Sequence, residues 1–221
     1  MNWEESNACT PLKRDFIRAW FGEDSRFFLT GGSALGLFYL DHRRSYDLDF
    51  FTSETVDGLA LRNQVIRLAE SIGAECAMMQ TTPDFHRFRL QRGVEREVLD
   101  FVADRVPQLD SDKTNFGPVR VDTIREILAN KLATLVGRSE RKDVIDLYFL
   151  EKAGHDLLAA LPDAQKKEGG LEPAVLSMIL DGLQFDAPPP WMLRPVDLED
   201  LNGFVTRLRR AFAVMALPEG P

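Results

Sequence analysis

The sequence is nearly free of cysteine. Cys9 and Cys76 are the only two among 221 residues, too few for a disulfide scaffold and without the spacing of a metal cluster. The expected setting is therefore a reducing, cytoplasmic one. Histidine is almost as scarce. His42, His86 and His155 are far apart in sequence and form no metal-ligand pattern. No Cys/His pair and no serine-hydrolase elbow is present. No apolar run is long enough to span a bilayer, so no membrane partner is expected. The opening residues, MNWEESNACT, lack a basic segment followed by an apolar one, which predicts no secretory signal. The absence of Gly-x-Gly-x-x-Gly disfavours a dinucleotide-binding fold, and the absence of Gly-Lys-Ser/Thr excludes a Walker loop. Excess positive charge is also missing, since 27 Lys and Arg face 35 Asp and Glu for a net −8. Nucleic-acid affinity comes mainly from cations neutralising phosphates, so bulk DNA binding is disfavoured.

What is present is an ordinary globular composition, 44% hydrophobic and 28% charged, enough for one large domain or two small ones. The basic residues are clustered. They group as His42-Arg43-Arg44, as Arg87, Arg89, Arg92 and Arg96, as Arg138, Arg141 and Lys142, and as Arg207, Arg209 and Arg210. Local patches on an acidic body suit a nucleotide or one RNA segment; solvated surface charge is the plain alternative for any single cluster. Hydrophobic periodicity predicts helices over 12–21, 33–40 and 57–72, and strands over 26–30, 47–52, 85–91 and 95–103, the last two joined as a hairpin at Arg92-Gly93. From residue 122 the pattern is helical, over 123–136, 143–153, 173–183 and 198–213, with Ala187–Trp191 a proline-stiffened break. The expected plan is α/β (α+β): a mixed-sheet core over 1–107 and a mainly helical region over 108–221.

The chemistry concentrates in Thr30-Gly31-Gly32-Ser33 and, after a helix-sized gap, Asp47-Leu48-Asp49-Phe50. Side chains two apart in a strand share a face, so Asp47 and Asp49 point together and Leu48 and Phe50 oppose them. Neighbouring carboxylates repel unless a cation sits between them. Mg²⁺ favours such oxygens while keeping room for phosphates. Gly31 and Gly32 let backbone approach a phosphate, and Ser33 stands at a helix start, where free N–H groups favour an anion. An ordinary strand-to-helix turn and a plain N-cap account for these three equally well. Asp100, in Val98-Leu99-Asp100-Phe101-Val102, is costly among apolar strand residues unless paired or metal-bound. It is a candidate third ligand and general base, against an aspartate satisfied by arginine. Lys131 lies near the apolar side of its helix, either snorkelling or reaching inward as a charge for phosphates. Asp143 and Asp146 share a helix face. Asp143 reads as a cap or dipole partner, and Asp146 as a partly buried anchor for Lys131 or an arginine.

Three segments together resemble a known family. Thr30-Gly31-Gly32-Ser33-Ala34-Leu35 with His42-Arg43-Arg44-Ser45-x-Asp47-x-Asp49-Phe50-Phe51 is similar to the first motif of the AbiEii/AbiGii-type toxins of the DNA polymerase β-like nucleotidyltransferase superfamily. Asn130-Lys131-Leu132-Ala133 resembles their second motif and Arg141–Leu150 their third. The resemblance spans about residues 26–150 and leaves the last seventy unmatched. It implies a mixed sheet flanked by helices and transfer of a nucleoside monophosphate from an NTP with release of pyrophosphate. The cofactor implied is Mg²⁺, with Mn²⁺ the alternative. The acceptor implied is RNA, notably the tRNA 3′ end, and a separate antitoxin protein is the implied partner. It maps Asp47 and Asp49 onto the metal pair and Gly32 and Ser33, with Gly31, onto the phosphate-binding turn. Lys131 and Asp146 map onto the active-site lysine and aspartate. Asp100 fits the third carboxylate by strand context, and either Arg138 or Arg141 fills the basic role of motif three, with Arg141 placed at the nucleotide. A small-molecule or protein acceptor, and a non-catalytic binding module of the same fold, are the competing expectations.

Overall fold

The computed structural model describes residues 2–138 and 140–217. They fall into two compact units. The first takes the described residues of Met1–Val106 and Asp110–Thr123, the second those of Pro107–Leu109 and Ile124–Pro221.

The first unit is built on α1 (Pro11–Phe21) and a seven-stranded mixed sheet. Its strands are β1 (Phe28–Thr30), β2 (Asp47–Thr52), β3 (Glu75–Thr81), β4 (Phe85–Arg92), β5 (Glu95–Ala103), β6 (Thr114–Phe116) and β7 (Val119–Val121), in the order β3-β4-β5-β2-β1-β7-β6. Helix α1 starts where the Thr10 hydroxyl accepts from the Lys13 N–H and Pro11 sits in the first turn. Its Phe16 and Trp20, one turn apart, drive into the sheet. The Trp20 ring centroid is 4.6 Å from Phe101, and Phe50 stacks on Phe101 at 4.7 Å. Alternation along β2 is therefore complete: Leu48, Phe50 and Thr52 are buried while Asp47, Asp49 and Phe51 stay partly open. Strand β2 runs antiparallel to β1 and parallel to β5.

Between β1 and β2 the chain enters α2 (Gly31–Ala34) and continues as a π-helical turn over Leu35–Leu40. The helix begins at Gly31, two residues before the predicted start, because Gly31 takes φ +67° and bends the strand directly into it. Helix α3 (Gly58–Ser71) is capped by Asp57, which accepts from the N–H groups of Leu59 and Ala60. The β4–β5 turn falls on Gly93-Val94, one residue beyond the expected Arg92-Gly93. Residues 110–123, which the expected boundary at 107 put with the helices, belong to this unit because Leu29 pairs with Val121 and the Tyr39 hydroxyl donates to the Asp122 carbonyl.

The second unit contains α4 (Ile124–Gly137), α5 (Arg141–Lys152), α6 (Leu161–Lys167), α7 (Pro173–Leu180) and α8 (Leu198–Met215). Helix α4 packs on α5, α6 and α7, and α8 on α5 and α7. Helix α7 stops at Leu180, three residues short of the expected end, just before Gly182 with φ +75°. Residues 107–109 are fastened to this unit by a buried ion pair. Lys167 pairs with Glu126 and donates to the Pro107 carbonyl at 2.7 Å, while Glu126 accepts from the Leu109 N–H at 2.8 Å. Among the described residues no helix is long and apolar enough to cross a membrane.

Candidate active site

Register creates the acidic centre. Thr30 lies opposite Asp49 on β1, and Asp100 lies opposite Asp49 on β5. The three carboxylates of Asp47, Asp49 and Asp100 therefore meet on one sheet face, each offering an oxygen within 4.8 Å of the others. Their hard oxygen donors suit Mg²⁺ or Mn²⁺ and no soft ligand is among them. The glycine turn is shaped to this centre. A Cβ on Gly31 would sit 2.5 Å from Asp49 Oδ2, so the close approach of turn and carboxylate requires glycine as much as its φ does. A Cβ on Gly32 would run into the guanidinium of Arg43. The Ser33 hydroxyl is buried, donating to the Thr30 carbonyl at 3.4 Å and accepting from the Asp49 N–H at 3.5 Å. It thus braces the turn against β2. For Gly31→Ala we expect a stability loss of about 1–2 kcal/mol from the left-handed backbone alone, with a fall in activity as Asp49 is pushed aside. Denaturant unfolding and transfer assays check this; retention of both would show that the turn is not fixed by Asp49.

Asp47 and Asp100 are each held by a neighbour that the sequence reading did not pair with them. Arg87 grips Asp100 with two parallel bonds, Nε to Oδ1 at 2.7 Å and Nη2 to Oδ2 at 2.6 Å. Asp100 is thus satisfied by an arginine, as the plain reading expected, and it also stands in the acidic cluster. The bond to Asp100 raises the Arg87 pKa, burial opposes this, and the charges of Asp100, Asp47 and Asp49 add to the rise. The Ser45 hydroxyl donates to Asp47 Oδ1 at 2.7 Å. Ser45 is in turn fixed by Lys13, whose buried ammonium donates to the Ser45 carbonyl at 2.7 Å and pairs with Glu97 at 3.3 Å. The chain Glu97–Lys13–Ser45–Asp47 ties α1 to the start of β2.

The basic cluster His42-Arg43-Arg44 divides on folding. His42 and Arg43 are buried, while Arg44 is exposed. Arg43 donates to the Arg44 carbonyl at 3.1 Å. Burial pushes the thiols of Cys9 and Cys76 up to about 11, so neither is a ready nucleophile at neutral pH.

In the helical unit the Lys131 ammonium lies between two fully buried carboxylates, 2.8 Å from Asp143 Oδ1 and 2.6 Å from Asp146 Oδ2. Asp146 thus anchors Lys131. Asp143, read from sequence as a cap or dipole partner, is an equal partner of the lysine and also accepts from Arg138 at 3.1 and 3.2 Å. Its three-residue spacing from Asp146 was the signal that this pair acts together. Arg141 begins α5, exposed, with its guanidinium 5.4 Å from the Phe185 ring centroid. Of the two arginines considered for the third motif, Arg138 is the one joined to this cluster.

A family model described as nucleotidyl transferase AbiEii toxin, type IV TA system, matches residues 16–191. Among solved structures, the fold is similar to that of a candidate nucleotidyltransferase from H. pylori, at 20% identity and TM-score 0.58, over 94% of this chain and 96% of that one. It is also similar to JHP933 from Helicobacter pylori, at 22% identity and TM-score 0.58, over 93% and 92%. At such identities these two speak for the fold alone. No curated protein matches the sequence.

Proposed function

The chain belongs to the AbiEii nucleotidyltransferase toxins of type IV toxin–antitoxin systems, and on that premise we propose that it moves a nucleoside monophosphate from an NTP to a hydroxyl of RNA, at the tRNA 3′ end. The observation that carries the site assignment is the convergence of Asp47, Asp49 and Asp100 within 4.8 Å beside Gly31, where a Cβ would meet Asp49 Oδ2 at 2.5 Å. In this reading the three carboxylates hold Mg²⁺ or Mn²⁺. The chemistry such an ion would supply when bound is positive charge against the phosphate charge that develops during transfer. The chain's own part is positioning. Ser45 and Arg87 fix the planes of Asp47 and Asp100, so the ligands need no rearrangement on binding. Gly31 and Gly32 open the turn for the triphosphate, and Ser33 braces it. Asp100 serves as ligand; the fork of Arg87 occupies both of its oxygens and makes it the weaker choice for general base. The resemblance implies an active-site role for Lys131 and a place at the nucleotide for Arg141, and Asp146 fixes Lys131. The antitoxin would be a separate chain.

The test is label transfer. The protein is incubated with each α-labelled NTP, Mg²⁺ and total cellular RNA, and label is expected in RNA. Chelation by EDTA should abolish the signal, and restored Mg²⁺ or Mn²⁺ should recover it. Label in protein or small solutes instead would refute the RNA acceptor; no transfer from any NTP would refute the whole reading.

A further inference from the structure

We propose that Arg89 and Arg96, together with Tyr46, form a binding strip for single-stranded RNA that leads an acceptor end to Asp47 and Asp49. The inference rests on the nucleotidyl-transfer reading and goes beyond it by naming where the acceptor lies. Strand alternation sets the face. On β4, His86, Phe88 and Leu90 point into the core, so Arg87 and Arg89 point to the other side. On β5, Glu97, Leu99 and Phe101 are buried, and Arg96 and Val98 share the face of Asp100. The bidentate Arg87–Asp100 pair confirms that both strands present this face together. Cross-strand register then puts Arg89 opposite Val98, and Val98 opposite Asp47. Two strand spacings, about 10 Å, separate the backbones of Arg89 and Asp47.

The four arginines of this region differ in what they hold. Arg87 is committed to Asp100, and Arg92 to Asp15, Glu95 and the Ile72 carbonyl. Arg89 and Arg96 are exposed and make no ion pair among the described residues. On a chain of net charge −8, two such guanidinium groups beside an acidic centre are placed for a polyanion. The position of the glycine turn decides which one. The turn follows β1, which flanks β2 on one side, whereas β5 and β4 lie on the other. A triphosphate on the turn therefore leaves the arginine side to the second substrate. Tyr46, immediately before Asp47, is 69% exposed, an unusual place for an aromatic ring. The Tyr46 carbonyl accepts from the Val98 N–H, which sets its backbone beside the Arg96–Val98 segment; an aromatic ring for base stacking together with cations for phosphates is the combination that single strands use.

The experiment measures binding without chemistry. Fluorescence anisotropy follows a 5′-labelled single-stranded RNA with a free 3′-hydroxyl across a salt series. For Arg89→Ala/Arg96→Ala we expect at least about tenfold weaker binding at low salt and a log–log salt slope smaller by about 1.4, roughly 0.7 for each lost phosphate contact. For Tyr46→Ala we expect about fivefold weaker binding or more, with the slope unchanged. Both variants should keep the wild-type denaturation midpoint and NTP affinity, since none of the three side chains is buried. Unchanged RNA affinity and slope in the double variant, or no RNA binding by the wild type, overturns the strip. Arginine-dependent binding without label transfer would uphold the strip and refute the transfer reading; label transfer to RNA with unchanged binding in the variants would do the reverse.

Discussion

Asp49→Asn is expected to lower nucleotidyl transfer by about 10²–10³-fold or more while changing the stability of the fold little. The size follows from removing one preorganised charge at the point where phosphate charge develops. Asp47→Asn should behave alike, because both oxygens belong to one cluster within 4.8 Å. The stability half of the expectation distinguishes a site from a structural acid. Like charges about 4 Å apart repel by roughly 1–4 kcal/mol, depending on the local dielectric. The nearby Arg87, whose pKa the charges of Asp47 and Asp49 raise, offsets part of that repulsion when no divalent ion is present. Thermal unfolding in EDTA should therefore give nearly the same midpoint for Asp49→Asn as for the wild type. Addition of Mg²⁺ or Mn²⁺ should raise the midpoint of the wild type and leave that of the variant unmoved. A variant that loses activity and stability together in EDTA would mean that Asp49 holds the structure up and that its link to catalysis is indirect.

Arg87 makes clear why such neighbours escape a reading of sequence. Asp47 and Asp49 were legible because a two-residue spacing within one strand fixes their common face, and β2 runs over 47–52 as its alternation requires. Asp100 was legible as an acid in an apolar run. Its bond to Arg87, thirteen residues away, depends on the hairpin register that sets Arg87 opposite Asp100. That register shifts with a single residue of turn, and the turn was placed one residue early. Lys13 is more remote still, reaching Ser45 from a helix that precedes the glycine turn. The same limit applies to the fold. Strand β3 hides because most of its residues are exposed, so Glu75–Thr81 shows no buried face. Strands β6 and β7 have three residues each, too few to display a period, and exist because Val121 finds Leu29. Helix α6, seven residues long, is similarly brief. Gly31 was legible as a turn but not as a contact, because only the folded sheet brings Asp49 Oδ2 to where its Cβ would be.

Lys131 invites the opposite experiment, one in which stability carries the signal. Its ammonium is shared by Asp143 and Asp146, both fully buried, and Arg138 supplies the second cation. Two cations thus face two anions inside the helical unit. Lys131→Met removes one cation and leaves Arg138, whose side chain is 46% exposed, to hold two buried carboxylates. Breaking a buried pair from one side costs about 3–5 kcal/mol, a large part of the roughly 5–15 kcal/mol that folds a typical domain. We expect a denaturant midpoint lowered accordingly. Lys131→Met/Asp146→Asn should recover much of the loss, since the surplus carboxylate is then neutral, and the double-mutant cycle should report a coupling of more than about 1 kcal/mol. Activity then separates structure from chemistry. If the double variant is stable but still transfers no label, Lys131 acts on phosphates as well as on its own helix pair. If activity returns with stability, the lysine serves the fold alone. A single Lys131→Met variant as stable as the wild type would contradict the buried trio itself.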